Sequence, residues 1–238
     1  MKTIHFAIIV VALIGAIIGG SFVLLQPTGK EPKLKEAMTE KIKLPDPQYN
    51  SSTSVEQAML KRRSVREYTN EPLNLTEVSQ LLWAAQGITH SGWGFRTAPS
   101  AGALYPLEVH IVAGNVKGVP DGVYQYKPHQ HELVKVRNGD VRKELSSASL
   151  GQTCIAEGAM VIVFSAVYER TTQKYGNRGI RYVHMEIGHA AQNVFLQAIS
   201  LNLGVVVVGA FRDEQVKKVL NLKDLEQPLY ILPVGKRK

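Results

Sequence analysis

The feature that most restricts the fold of this chain is an apolar run at residues 159–167, with the sequence A-M-V-I-V-F-S-A-V. A strand that is apolar at every position, rather than at every second one, has both of its faces buried. Residues 204–209 enclose four consecutive valines and have the same character. The sheet that holds these strands therefore needs a covering layer on each side, and 238 residues are enough to supply one.

Two longer segments have helical periodicity. Residues 73–86 carry apolar side chains three and four apart, with Asn74 and Glu77 as a predicted capping box and Gly87 as a stop. Residues 182–201 are apolar nearly all round, which is typical of a helix at the centre of a structure or in a subunit interface. Further strands are predicted at residues 107–113, 122–126, 132–136 and 229–234, and short helices after Ser54 and over residues 141–149.

The N-terminal part has a different composition. Residues 4–25 form a nearly unbroken apolar run that is long enough to cross a bilayer, and no clear cleavage site precedes Gln26. We favour an uncleaved transmembrane anchor at residues 1–25 over a cleaved signal segment. Residues 26–53 are rich in Pro, Lys, Glu and Ser and are predicted to tether the anchor to a domain at residues 54–238. The domain would be membrane-anchored, or secreted if the segment is cleaved; the lysines do not fix its side of the membrane.

Residues 62–68, R-R-S-V-R-E-Y, form a candidate anion site that we call the arginine segment. They follow the short helix predicted after Ser54, so the helix dipole gives an anion no help there and side chains must hold it. A guanidinium group pairs two phosphate oxygens at once, and a hydroxyl can donate to a third. For this motif alone, a solvated basic patch is the alternative.

Residues 97–106, T-A-P-S-A-G-A-L-Y-P, form a second unusual stretch that we call the small-residue loop. Pro99 and Pro106 stiffen its ends, while Gly102 and the alanines let the backbone approach a flat ligand closely.

The net charge of +8 does not indicate nucleic acid, because no nucleic-acid-binding motif accompanies the basic residues. They fall at residues 30–43, 61–66 and 236–238, and small anionic ligands explain them at least as well. Cys154 is the only cysteine, which excludes an intrachain disulfide and a multi-thiolate metal site. We predict that it is a buried small hydrophobe.

Two histidine patterns suggest metal binding at first sight. His184 and His189 flank Glu186, but they are five residues apart and point about 140° away from each other around a helix. His129 and His131 fall in a predicted hairpin turn and are predicted to be solvated. We therefore predict no metal site.

Taken in order, these segments resemble the FMN-dependent nitroreductase family, in particular its SagB/ThcOx-type dehydrogenase branch. The resemblance covers about residues 54–238 and is carried by residues 62–68, 97–106, 181–193, 204–211 and 233–235. It implies an α+β fold with a central mixed sheet wrapped by helices, in an intimate homodimer that binds FMN at its subunit interface.

By position, the resemblance also implies the cofactor contacts. The arginine segment would hold the FMN phosphate, ribityl oxygens or ring edge through Arg62, Arg63, Ser64 and Arg66. The small-residue loop of the partner chain would line the isoalloxazine through Pro99, Ser100, Ala101, Gly102 and Leu104. Val208, Gly209 and Ala210 would face flavin N5, and Lys236 or Arg237 would reach the phosphate.

No catalytic residue is assigned. Lys174 and Tyr175 resemble a Lys-Tyr pair considered catalytic in azoline-oxidising relatives. Tyr182 also follows a basic residue, Arg181, and is a second tyrosine of this kind. For Lys174, we favour a solvated loop over a catalytic role.

The function that the resemblance implies is an FMN-dependent oxidoreductase. It would pass hydride through flavin N5 between a reduced donor, NAD(P)H, and an organic acceptor. One alternative is an azoline-type dehydrogenase that acts on a modified peptide. The other is a membrane-tethered flavin-binding scaffold without catalysis.

Overall fold

The computed structural model describes residues 40–238, which contain nine strands and seven α-helices. The strands are β1 (Lys41–Lys43), β2 (Ile88–His90), β3 (Phe95–Arg96), β4 (Leu107–Ala113), β5 (Gly122–Lys127), β6 (Glu132–Asn138), β7 (Met160–Val167), β8 (Leu203–Val205) and β9 (Glu226–Lys236). The helices are α1 (Val55–Lys61), α2 (Leu75–Gln86), α3 (Arg142–Ala148), α4 (Thr153–Glu157), α5 (Glu169–Tyr175), α6 (Arg178–Ser200) and α7 (Asp213–Leu220).

Seven strands form one sheet in the order β1-β6-β5-β4-β7-β9-β8, while β2 and β3 pair separately as a hairpin. Every pair of neighbouring strands in the large sheet is antiparallel. The α+β class is therefore confirmed, but the prediction of a mixed sheet is wrong. Strand direction depends on how the connections run, and hydrophobic patterning does not record it.

The central strand β7 has both faces buried, as the apolar run predicted. Ile162 and Phe164 belong to a core cluster with α2 and α6, whereas Val161 and Val163 belong to a second cluster with α3, α4 and α7. Helices therefore cover both faces of the sheet.

The predicted helices are present, with small differences in length. Asn74 and Glu77 form both hydrogen bonds of a capping box at the start of α2. The long helix α6 begins four residues earlier than the apolar pattern suggested. The valine run yields only the short strand β8, and Val208 further on makes a single bridge to Ile231 of β9.

The predicted tether differs from the structure over residues 40–53. Lys41 and Lys43 of β1 lie opposite Val134 and Glu132 of β6, and Leu44 is buried. This segment is therefore part of the folded domain, which does not begin at Ser54. The proposed anchor or signal at residues 1–25 lies outside the described residues. Between residues 40 and 238, no helix is long and apolar enough to cross a bilayer.

His131 is not solvated, contrary to prediction. Its ring nitrogens lie 2.7 Å from the Ser79 hydroxyl, 2.8 Å from the Tyr126 hydroxyl and 3.0 Å from the Pro45 carbonyl oxygen, so it fastens residues 40–53 to the sheet. Cys154 is buried, as predicted. Within the described part of the chain, no group of three or more His, Cys, Asp or Glu side chains could hold a metal ion.

Candidate functional site

The arginine segment lies along the end of the large sheet. Arg62 caps α1, and the chain then runs extended past β8 and β9. The Val65 amide donates to the Val205 carbonyl at 2.9 Å, and the Thr69 amide donates to the Lys236 carbonyl at 3.0 Å. These backbone bonds fix the segment against two strands of the core.

Tyr68 holds the arginine segment against the core. Its ring is buried, and its hydroxyl donates to the carbonyl oxygens of Val65 at 2.8 Å and Pro233 at 3.1 Å. Two glycines make room for this packing. A Cβ on Gly204 would lie 2.6 Å from Val65 Cγ1, and one on Gly235 would lie 2.8 Å from Tyr68 Cβ. Gly204 and Gly235 are therefore required for the arginine segment to pack against β8 and β9.

The cationic side chains of the segment are available for an anion. Across residues 40–238, none of Arg62, Arg63 and Arg66 pairs with a carboxylate. The Arg62 guanidinium carbon lies 5.3 Å from the centroid of the Phe195 ring on α6, while Arg63 donates to the backbone carbonyls of Leu60 and Arg62. Ser64 is exposed beside them. The positive charge of this surface is uncompensated, which suits a phosphate.

Residues 208–210 lie on the same side of the molecule. Val208 is buried and exchanges two backbone hydrogen bonds with Ile231, whereas Gly209 and Ala210 are exposed. Gln152, at the start of α4, donates to the Ala210 carbonyl at 3.0 Å. Cys154 lies on α4, two residues after Gln152. Burial raises the pKa of its thiol, and the positive charge of Arg66 has a smaller, opposite effect. The start of α4 therefore links the turn at Gly209 to the arginine segment.

Lys236 and Arg237 differ in their surroundings. The Lys236 ammonium group forms an ion pair with Glu77 of α2. Arg237 pairs through its backbone with Tyr68 and forms no ion pair with the carboxylates of residues 40–238. Of the two predicted phosphate ligands, Arg237 is therefore the one with an uncommitted charge.

The small-residue loop has a strained backbone. Gly102, Ala103 and Tyr105 have φ angles of 64°, 54° and 46°, and the left-handed conformation is unfavourable for a residue with a Cβ. The Ser100 hydroxyl oxygen accepts the Tyr105 amide proton at 2.9 Å and so closes the loop on itself. Strain of this kind is concentrated at ligand-binding sites.

Lys174 and Tyr175 of α5 reach this loop. A Cβ on Gly102 would lie 2.8 Å from the Tyr175 hydroxyl and 3.0 Å from Lys174 Nζ. The Tyr175 ring packs edge-on against Tyr182, with 5.1 Å between ring centroids. The pair is therefore held on two helical turns beside the loop, and Lys174 does not belong to a free loop.

Beneath the loop is a cavity of about 260 Å³. It is lined by the loop and one face of α6, through Pro99, Ser100, Ala101, Tyr182, Met185, Glu186 and His189. Glu186 is 2% exposed, and burial raises its pKa to about 7, against the opposing effects of Ser100 and Arg96. In the sequence, Glu186 stands out only as part of the apparent metal pattern with His184 and His189. Its position in a largely apolar helix was the signal that could have indicated its burial.

The predicted contacts form two groups that pack on α6 at two different levels. The loop packs on α6 near Glu186, and the arginine segment packs on α6 near Phe195. Nine residues of helix separate these points, which is about 13 Å along the axis. We call these two groups of residues the two half-sites.

Comparison with known proteins identifies the family. The sequence model of the Nitroreductase family matches residues 59–236, which is most of the chain. This chain belongs to the nitroreductase family. Proteins of this family bind flavin, and the two half-sites have the residue types that an anionic, flat cofactor needs.

Two curated relatives and one solved structure illustrate the similarity. MJ1384 of Methanocaldococcus jannaschii, which is named as a nitroreductase, is 49% identical over 199 residues, or 84% of this chain and 98% of that protein. The microcin B17-processing protein McbC of Escherichia coli is 30% identical over 155 residues. That match covers 63% of this chain and 57% of McbC. A nitroreductase structure from Anabaena variabilis has a TM-score of 0.75 and 34% identity, over 90% of this chain and 45% of that one.

Proposed function

We propose that this protein is an FMN-dependent oxidoreductase that transfers hydride between NAD(P)H and an organic acceptor. The observation that carries the proposal is the pairing of uncompensated arginines with a strained, small-residue loop. The first suits a phosphate and the second suits the face of a planar ring. When bound, FMN would supply the hydride chemistry, and the residues described above would bind and orient it.

Arg62, Arg63 and Ser64 are proposed to bind the phosphate and ribityl chain, with Arg237 in support. Arg66 is proposed to lie near the polar edge of the ring. A fixed positive charge there stabilises an anionic reduced flavin more than the neutral oxidised form.

The half-sites are proposed to combine across a homodimer. The exposed face of α6 carries Met185, Gly188 and Gln192, of which Gly188 and Gln192 lie between the levels of the two half-sites. A Cβ on Gly188 would meet no atom within 4 Å, so nothing within residues 40–238 explains a glycine in mid-helix. A two-fold axis near this point would bring the loop of one chain to the arginine segment of the other.

One observation favours a second candidate function, that of an azoline-type dehydrogenase in the SagB branch. Lys174 and Tyr175 converge on Gly102, where a proton could be exchanged with a substrate on the ring. The similarity to McbC, whose name describes processing of microcin B17, points the same way. A modified peptide would then take the place of the small organic substrate.

The test is complementation between two full-length variants that each bind FMN weakly, at an FMN concentration that saturates intact sites only. Arg66→Ala damages one half-site. Gly102→Val damages the other, because a β-branched residue is strained at the φ of 64° and its Cβ would lie 2.8 Å from the Tyr175 hydroxyl. If sites are shared, a mixed dimer contains one intact site and one doubly damaged site. We expect mixing after reversible unfolding to restore FMN binding to about a quarter of the wild-type sites, because half of the dimers are mixed.

Three results would count against this proposal. Failure of the wild-type chain to bind FMN would contradict the flavin function. FMN binding without recovery in the mixture would contradict the shared site. Normal FMN binding with no NAD(P)H oxidation and no azoline oxidation would favour the non-catalytic scaffold.

A further inference from the structure

Glu186 is a buried acid for which the proposed function has no use. Glu186 and Glu226 are the two carboxylic residues that are almost wholly buried among residues 40–238. Glu226 accepts a hydrogen bond from the Ser165 hydroxyl at 2.8 Å. Glu186 Oε1 has no hydrogen-bond partner in the described part of the protein, although Glu186 lines the cavity beneath the small-residue loop. A buried polar atom without a partner destabilises the folded state, so its presence calls for an explanation.

Burial favours the protonated form of Glu186, and two neighbouring groups oppose it. From the loop, Ser100 faces the carboxyl group, and from β3 the charge of Arg96 acts on it. Arg96 is partly occupied elsewhere, because it donates to Gln86 Oε1 at 2.9 Å and stacks on the Tyr105 ring at 4.5 Å. On α6 itself, Tyr182 and His189 line the same cavity. Desolvation outweighs the favourable contacts, so the neutral acid is accessible near neutral pH.

Ser100 connects this acid to the ligand-facing surface. Its hydroxyl oxygen accepts the Tyr105 amide proton, and this bond holds the strained turn closed. The hydroxyl also has a single proton of its own to donate. An ionised Glu186 would accept a hydrogen bond from the Ser100 hydroxyl and so occupy that proton. A neutral Glu186 can instead donate to the remaining lone pair of Ser100 and leave the hydroxyl proton free to point at a ligand.

We propose that Glu186 is a positioning residue that decides, through Ser100, whether the small-residue loop offers a hydrogen-bond donor to the flavin. This inference rests on the proposed function, because it takes the flavin ring to lie on this loop. The neutral acid is the binding form, and the flavin edge at Ser100 is a hydrogen-bond acceptor. A ring that covers the cavity removes water from the carboxyl group and strengthens this preference.

The experiment compares FMN affinity in four full-length proteins between pH 6 and pH 8: wild type, Glu186→Gln, Ser100→Ala and the double variant. Glutamine has the shape of the neutral acid, and the charge of Arg96 favours an orientation with its amide nitrogen toward Ser100. Since a group with a pKa of about 7 is about one-tenth protonated at pH 8, the wild-type affinity should fall about tenfold relative to Glu186→Gln. The FMN phosphate also titrates in this range, but its effect cancels in the ratio of the two dissociation constants.

Ser100→Ala tests whether Glu186 acts through the serine. It should weaken FMN binding at pH 6, and adding Glu186→Gln should then change the pH profile by less than about twofold. Calorimetry in buffers of different ionisation enthalpy provides an independent readout, because wild type should take up a proton on binding FMN near pH 8 and Glu186→Gln should not. The control is Glu226→Gln, which alters an equally buried carboxyl group that does not line the cavity. It should alter thermal stability and leave the pH profile of binding unchanged.

The outcomes separate this inference from the proposed function. A wild-type chain that binds no FMN overturns both. FMN binding with identical pH profiles in wild type and Glu186→Gln overturns the inference alone. So does a profile that still depends on Glu186 after Ser100 has been replaced.

Discussion

The hydroxyl group of Tyr68 offers a direct test of how the arginine segment is held. Tyr68→Phe keeps the buried ring and removes only the oxygen that bonds to the Val65 and Pro233 carbonyls. A hydroxyl has one proton, so about one net hydrogen bond is lost and two carbonyl oxygens are left less well satisfied. We expect a cost of about 2 kcal/mol, which for a domain of this size lowers Tm by about 4–8 °C.

The same change should weaken FMN binding. Val65 lies between Ser64 and Arg66, so loosening its carbonyl frees the side chains that are proposed to hold FMN. We expect the dissociation constant to rise by about five- to thirtyfold, which corresponds to about 1–2 kcal/mol. Thermal unfolding of the apo-protein and a fluorescence titration with FMN measure the two effects separately.

Tyr124→Phe is the matched control. Tyr124 is fully buried, and its hydroxyl donates to the Pro120 carbonyl at 2.7 Å, away from both half-sites. It should lower Tm by a similar amount with no change in FMN affinity. If Tyr68→Phe loses stability in the same way and still binds FMN like wild type, Tyr68 does not position the cofactor site.

Three other predictions concern single residues. Arg62→Ala should lower FMN affinity about ten- to a hundredfold with little change in the reduction potential of the flavin. Arg66→Ala should lower both the affinity and the reduction potential, and Arg66→Lys should recover most of the potential. Unchanged potentials in both alanine variants would refute the role of Arg66. Burial lowers the pKa of His110 to about 4. The folded state therefore binds fewer protons than the unfolded state between about pH 6.5 and 4. The free energy of unfolding should fall by about 3 kcal/mol as the pH drops through that range. Urea unfolding of wild type and His110→Gln would show this as a difference between the variants, and parallel curves would contradict it. Tyr175→Phe should leave FMN content unchanged and reduce turnover of the organic acceptor, while equal turnover would remove the tyrosine from the chemistry.

The sequence predicted the layers of the fold because those layers follow from side-chain patterning. The apolar run in β7 required cover on both faces, and α2 begins where Asn74 and Glu77 form their capping box. The antiparallel pairing throughout the sheet was not predictable in this way. It is set by backbone hydrogen bonds, which every residue type can form, and by the route of the connections.

The same distinction applies to the site. The arginines and the small-residue loop were recognisable because their residue types are unusual for a connecting segment. Glu186 was placed on a helix correctly, but its burial depends on a loop more than eighty residues earlier in the chain. Lys236 was proposed as a phosphate ligand, and its ion pair with Glu77 is likewise a contact between distant parts of the chain.

The position of β1 has a consequence for how the protein can be handled. It occupies the outer side of β6, and it is three residues long with a lysine at each end. A strand that is short and charged is a poor template for another chain, so β1 shields the sheet from edge-to-edge aggregation. A fragment that begins at Ser54 would lose this guard and expose the backbone groups of β6. Such a fragment should aggregate even though both half-sites are intact, and one that begins between residues 26 and 40 should not.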